Sequence, residues 1–366
     1  MPRKVLRQAR RIVVKVGSNL LAPGGEMDRK FIGELARQAA ALVRAGRQVM
    51  IVTSGAIAAG LKPLGLARRP PELPLLQAAA AAGQGLLMHA YQVAFGRQDL
   101  VAAQVLITRD GLEDRERYLN ARNTLMALLE RGAVPVINEN DTVSVDEIRF
   151  GDNDRLSALV ASLAGADLLV LLSGVPGLLD AAGAVVPRVG EVGAEVRALV
   201  RAEKSAEGSG GMDSKLEAAR IGARAGFHTV VAGGREPEVL LLVADGQEVG
   251  TWFVGGAARE AARKQWLAFS QRAEGRLVID DGAVRALVER KKSLLPSGVL
   301  AAEGNFGAGA GVAIVTRRGK EVARGISNYS SRDVERIKGR KTSELAAIVG
   351  EARFDEVVHR DNLTVL

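Results

Sequence analysis

The chain has 366 residues, more than one domain usually holds, and so predicts two. Hydrophobic residues at 47% and charged residues at 25% exclude global disorder, and the net charge is +8. The absence of cysteine excludes disulfides, thiolate nucleophiles and cysteine-ligated metal centres.

Near the start, the basic stretch before Arg11 is followed by an apolar run that Lys15 cuts short. This gives no signal-peptide pattern, and no run nears the roughly 18 apolar residues of a membrane span, so a cytoplasmic protein without membrane contact is expected. RIVVKV (11–16) then reads as a buried strand ending at Gly17. Asp28 is placed to cap a helix that runs to Ala45 and stops at Gly46. QVMIVT (48–53) is the next strand, closed by Ser54-Gly55, and an alanine-rich helix follows from about Leu73 to Phe95. A strand over 100–108, a helix from Asp114 to Glu130 and the strand VPVIN (134–138) come next. After a stretch with one expected hairpin (143–149), a helix over 154–164 leads into DLLVLL (167–172). A helix over 214–225 and the strand HTVVA (228–232) complete the series. Such βαβα alternation predicts a mostly parallel sheet with helices on both faces. Ligands of such sheets bind beyond the carboxyl ends of the strands, here Gly17, Ser54, Asn138 and Ser173.

After Val254 the texture changes to short β-like runs (276–280, 311–316, 323–329) around one helix (283–289), which predicts a small barrel. Residues 259–366 carry 20 basic and 14 acidic side chains, +6 of the total charge. That asymmetry fits contact with a polyanion and a solvated basic face equally well. The boundaries read as 1–258 for the first domain, 259–273 for a linker, 274–352 for the second domain and 353–366 for a tail.

Three groups of residues stand out as carriers of chemistry. Gly208–Lys215 (GSGGMDSK) combines exposed backbone N–H groups, a helix start and a cation, which suits phosphate, although the spacing is not that of a Walker A loop. A mobile surface loop is the alternative. Lys15 is a cation in an apolar strand, costly unless it is paired or meets an anion; a frayed strand end reaching solvent is its alternative. Asn138-Glu139-Asn140-Asp141 and Gly151-Asp152-Asn153-Asp154 crowd short polar side chains around the hairpin. Asp152 or Asp154 would serve as simple helix caps, but the two clusters together suit a small molecule bearing an ammonium and a carboxylate. Asp141 would accept from the ammonium, and Asn153 and Ser54 would donate to the carboxylate. Glycines 304–311 sit between strand-like runs and read as a turn, and His89, His228 and His359 read as structural.

VVKVGSN (13–19), VTSGAIAAG (52–60), EDRERYLNARNT (113–124), PVINEND (135–141), FGDNDRLSA (150–158) and GGMDSK (210–215) together resemble the bacterial glutamate 5-kinases of the amino acid kinase superfamily. The likeness spans nearly the whole chain, and the basic C-terminal part is similar to a PUA domain. The resemblance implies a three-layer αβα sandwich with a mostly parallel open sheet, followed by a small β-barrel PUA-like domain. It implies phosphoryl transfer from Mg-ATP to the γ-carboxylate of L-glutamate, the first step of proline biosynthesis, with Mg2+ as cofactor. Carried over, Lys15 and Lys215 flank the phosphoryl group and Asp154 holds them in place. Ser54, Asn138, Asp141, Asp152 and Asn153 bind glutamate. Lys15, Ser173, Gly174, Ser209, Gly210, Gly211, Met212, Asp213, Ser214 and Lys215 line ATP. Where the family usually has Thr-Asp, this chain has Ser173-Gly174, which bears on nucleotide affinity. L-proline as feedback inhibitor, a homo-oligomer (dimer or tetramer) and hand-over to a glutamyl-5-phosphate reductase are implied as well, while RNA binding by the PUA-like part is left open. Two rivals remain: a kinase of the same fold acting on N-acetylglutamate or aspartate, and an RNA-binding protein with the kinase part as scaffold. An acidic grip at Asp141 argues against N-acetylglutamate, which lacks the ammonium, and the retention of Lys15, Asp154 and Lys215 argues against a scaffold.

Overall fold

Five of the six residues of β1 (Arg11–Val16) are buried, as befits the middle of a parallel sheet covered on both faces. The computed structural model describes residues 3–108, 111–112, 114–143, 153–202, 211–256, 273–349 and 354–365. They fall into two units, residues 1–257 and 258–366. In the first, β1 is followed by α1 (Ser18–Leu21), α2 (Arg29–Arg44), β2 (Gln48–Val52), α3 (Ala56–Leu61), α4 (Leu73–Gly96) and β3 (Ala102–Ile107). Then come α5 (Arg115–Glu130), β4 (Val134–Glu139), α6 (Asn153–Ala164), β5 (Leu168–Ser173), β6 (Arg188–Val189) and α7 (Ala194–Ala202). α8 (Met212–Ala225), β7 (His228–Gly233), α9 (Val239–Ala244) and β8 (Thr251–Phe253) complete it.

The eight strands lie in the order β3-β4-β2-β1-β5-β7-β8-β6, all neighbours parallel except β7 and β8. Strand parity assigns the two faces. Ile12, Val14 and Val16 point into one core with Phe31 of α2, Tyr91 of α4 and Leu240 of α9. Val13 points into the other, with Leu125 of α5, Leu156 of α6 and Leu216 of α8. Lys15 shares the parity of Val13, so it faces α6 and α8. The sequence signals act as expected at several ends: the Asp28 and Asp114 carboxylates accept from Phe31 N and Arg117 N, and Gly46, Gly132 and Gly226 take positive φ beyond their helices. The short helices α1 and α3 were not expected; they follow directly on the strand ends read at Gly17 and Ser54-Gly55.

The second unit contains β9 (Gly275–Ile279), α10 (Asp281–Val288), β10 (Val299–Glu303), β11 (Gly311–Thr316), β12 (Glu321–Ile326), α11 (Ser331–Ile337), α12 (Leu345–Val349) and β13 (Leu363–Val365). Its described residues form a mixed five-stranded sheet, ordered β10-β9-β11-β12-β13, over a core with Leu277, Ile314, Val334 and Val358. The expected tail is a correction: Leu363–Val365 pair with β12, with Thr364 buried between two half-buried apolar neighbours, a strand too short to read from sequence. Glycines 304 and 309, both at positive φ, turn the chain between β10 and β11, as expected. The expected linker and hairpin lie, apart from Ala273 and Val143, outside the described residues.

Candidate active site

The ends of β1, β2, β4 and β5 open onto one cavity of about 410 Å3. Lys15 and Gly17, Ser54, Asn138, and Ser173-Gly174 contribute from those four ends, and Asp141, Asn153 and Lys215 complete the wall. This is the place the topology alone pointed to.

At one part of the cavity three charges are locked together. Asp154, in the first turn of α6, is fully buried. Its Oδ1 pairs with Lys15 Nζ at 2.6 Å, and its Oδ2 with Lys215 Nζ at 3.1 Å. The Ser214 hydroxyl donates to Oδ2 at 2.7 Å. Burial alone would raise the Asp154 carboxyl, but the two ammonium groups and the Ser214 hydrogen bond hold it down at about 2. The carboxylate is therefore ionised throughout the neutral range, and the trio carries a net charge of about +1, fixed in direction. Its three members come from β1, α6 and α8, the elements that strand parity brings to one face.

Apart from Asp141 and Arg69, the rest of the polar wall is uncharged, and its amides are ordered by hydrogen bonds. Asn153 Nδ2 shares its two hydrogens among three acceptors, Thr53 O at 2.6 Å, Ser54 Oγ at 2.9 Å and Asn138 Oδ1 at 3.1 Å. Asn138 Nδ2 in turn donates to Gln84 Oε1 at 2.8 Å. The Asn153 amide hydrogens are thus engaged within the protein, which corrects the expectation that they donate to a ligand carboxylate. The Ser54 hydroxyl remains able to do so.

Close packing holds this wall in place. Gly55 sits at φ 93° ahead of α3, a left-handed conformation that favours glycine. α3 crosses α4 backbone to backbone: a Cβ on Gly60 would lie 1.8 Å from Ala79 O, and one on Gly83 1.9 Å from Ala56 O. Further along α4 the fully buried Tyr91 hydroxyl lies 2.9 Å from Thr53 Oγ1.

The structure therefore brings Lys15, Ser54, Asn138, Asp141, Asn153, Ser173, Gly174 and Lys215 together at the cavity and buries Asp154 behind the lysines. Gly211, Met212 and Asp213 open α8 beside it without lining it, and Ser214 acts on Asp154. Asp152, Ser209 and Gly210 lie outside the described residues. Neither bland alternative holds for the two central charges: Lys15 is 6% exposed and paired, not frayed, and Asp154 binds lysines rather than capping its helix. Sequence reasoning missed Gln84, Tyr91 and Arg69, the last of which lines the cavity. The available signals were a polar residue beside a glycine within the alanine-rich helix, and the basic pair ahead of Pro70-Pro71. His228 is structural, as read, its Nδ1 accepting from Gly255 N at 2.8 Å.

A fixed pair of cations on a carboxylate, at the switch point of a parallel sheet, is machinery for moving an anionic group. Residues 10–233 match the amino acid kinase family and residues 275–349 the PUA domain, and the chain belongs to the amino acid kinase family. It is 48% identical to a glutamate 5-kinase of Moorella thermoacetica over all of this chain and 98% of the relative. It is 46% identical to those of Syntrophotalea carbinolica and Paraburkholderia xenovorans, over the full length of both chains in each case. Within the family it is a member of the glutamate 5-kinases, which phosphorylate glutamate in proline biosynthesis.

Proposed function

We propose that the cavity transfers the γ-phosphoryl group of ATP to the γ-carboxylate of L-glutamate, with Lys15 and Lys215 on either side of the moving group. The observation that carries this reading is the buried Asp154 carboxylate, ion-paired to both lysines at 2.6 and 3.1 Å. Phosphoryl transfer needs placement and neutralisation of spreading negative charge more than covalent chemistry. The acceptor carboxylate is already ionised at neutral pH, so no general base is needed. Asp154 sets the separation of the two ammonium groups and cancels one of their charges, so that they steady the phosphoryl oxygens without trapping the product.

Ser54 is assigned the α-carboxylate, Asp141 and Asn153 the ammonium, and Asn138 the support of Asn153; Asp152 is assigned to glutamate as well. Ser173, Gly174 and residues 209–215 are assigned to the nucleotide. Among the described residues no cluster of three or more acidic or histidine side chains is gathered to hold a metal ion, and both Asp154 oxygens are engaged. The divalent ion, Mg2+ in this reading, is therefore the companion of ATP on its phosphates, where it offsets their charge. L-proline, a smaller amino acid with the same ammonium and α-carboxylate, fits as an inhibitor at the glutamate end. Glutamyl phosphate is labile, which favours hand-over to a reductase, and a homo-oligomer belongs to the same reading. RNA contact by the basic second unit would appear as binding of labelled RNA to the whole protein. No helix among the described residues is long and apolar enough to cross a membrane, and the assigned compartment is the cytoplasm.

The test is ADP release from Mg-ATP with L-glutamate, N-acetyl-L-glutamate, L-aspartate or UMP, with hydroxylamine present to trap an acyl phosphate. Turnover and hydroxamate with glutamate alone are expected. Turnover with N-acetyl-L-glutamate instead would remove the ammonium site.

A further inference from the structure

The side-chain amides of Asn153, Asn138 and Gln84 form a chain that can be oriented in only one way. Thr53 O is a backbone carbonyl and can only accept, so the Asn153 atom 2.6 Å from it is Nδ2. The Asn138 atom 3.1 Å from that Nδ2 must then be its oxygen. This turns Asn138 Nδ2 toward Gln84, which must meet it with Oε1, at 2.8 Å. Polarity thus runs from one fixed carbonyl through two asparagines to a single glutamine on α4. Asn153 and Ser54, which line the cavity, take their donor and acceptor sense from it. Because Ser54 Oγ accepts from Asn153, its own proton is available to a ligand carboxylate. Because Asn153 Nδ2 is engaged, the group Asn153 can offer a ligand is Oδ1, an acceptor suited to an ammonium.

We propose that Gln84 is a positioning residue for amino-acid recognition: its Oε1 holds Asn138 in the one orientation that lets Asn153 and Ser54 grip an ammonium and a carboxylate. Asn138 is 2% exposed, so losing Gln84 leaves a buried amide donor unpaired. Rotating the Asn138 amide to relieve that would set its NH2 against the NH2 of Asn153 and push Asn153 from its place. The effect should fall on the amino-acid end, because the four hydrogen bonds of the relay run among Thr53, Ser54, Asn138, Asn153 and Gln84 and not through the lysine–aspartate trio. The inference rests on the assignment of Asn153 and Ser54 to glutamate.

Three variants of the full chain test it: Gln84→Met removes the acceptor at similar length, Gln84→Glu keeps an acceptor at both oxygens, and Asn153→Ala probes the underlying site. In Gln84→Met the KM for glutamate is expected to rise about tenfold, with kcat and the KM for ATP within about twofold. Gln84→Glu is expected to recover the glutamate KM to within about threefold of the parent, since one hydrogen bond is regained. An unchanged glutamate KM in Gln84→Met beside a raised one in Asn153→Ala overturns the relay alone. Unchanged values in both overturn the glutamate site along with it. If Gln84→Met lowers kcat and raises both KM values together, with no rescue by Gln84→Glu, the residue serves packing and the proposal is wrong.

Discussion

The two ends of the cavity solve different problems with different chemistry. At one end, two lysines and an aspartate are nearly dry and charge-locked, and their geometry rests on strong attraction in a medium that screens it poorly. At the other, neutral amides and a hydroxyl pass a donor–acceptor sense along a chain of hydrogen bonds from 2.6 to 3.1 Å. A fixed field suits a transition state whose charge spreads over several oxygens. A directional relay suits the recognition of an amino acid, where the task is to tell an ammonium from an amide. Loss of a group at the first end should therefore appear in kcat, and loss at the second in KM.

The sharpest way to break this contrast is Lys215→Ala, which is expected to lower kcat by about 10²- to 10³-fold while the KM for glutamate changes far less. A kcat near that of the parent would take Lys215 out of the transition state. Asp154 carries the matching stability prediction. Its carboxyl lies at about 2 in the folded chain against an ordinary 3.8, so the folded state favours the ionised form. That contribution is fully present above about pH 4, is lost as the pH falls toward 2, and amounts to about 2–3 kcal/mol. Denaturant unfolding across this window should show a shallower acid decline in Asp154→Asn than in the parent.

Next in size is Gly83→Ala. The added Cβ would lie 1.9 Å from Ala56 O, so α3 must move away from α4 or the chain must lose about 1–3 kcal/mol. Because α3 follows directly on Ser54-Gly55, the displacement should fall on the amino-acid end. The expected signs are a lower Tm and a raised glutamate KM, with the ATP KM less affected. Asp141→Ala, which removes the acidic group at the rim, is expected to raise the glutamate KM about tenfold with kcat nearly constant. An unchanged value would place the ammonium elsewhere.

The same contrast explains which parts of the molecule were legible in the sequence. The central strands could be read because their β-branched runs end at glycines, and Lys15 stood out because a cation in such a run is costly. Strand ends gave the cavity, since parallel topology decides where they point. The direct carbon-copy of pattern into structure failed where the decisive partner is remote. Gln84 is 54 residues from Asn138, and Tyr91 is 38 from Thr53, with nothing local to mark either pair. Gly60 and Gly83 read as ordinary glycines until their helices cross. The short β6 and β8, of two and three residues, offer too few positions for a period to show. Asp154 read locally as a possible cap; its pairing with two lysines came only from the family resemblance, because its partners lie 139 and 61 residues away.

The smallest expected effect sharpens the comparison at Ser173-Gly174, assigned above to the nucleotide, where the resemblance read from the sequence leads one to expect Thr-Asp. Both residues line the cavity, and a Cβ built on Gly174 meets nothing within 4 Å. The backbone there is not in the left-handed region, so a side chain is admitted without strain. Gly174→Asp would supply an acceptor at the end of β5, in the wall of the cavity. The expected result is a KM for ATP lowered about two- to fivefold, the size of one modest exposed hydrogen bond, with the glutamate KM unchanged. If the ATP KM holds still, the nucleotide gains no contact at this position and the departure is neutral. If instead the glutamate KM moves, the two ends of the cavity are not separable, and the division between fixed field and directional relay fails with them.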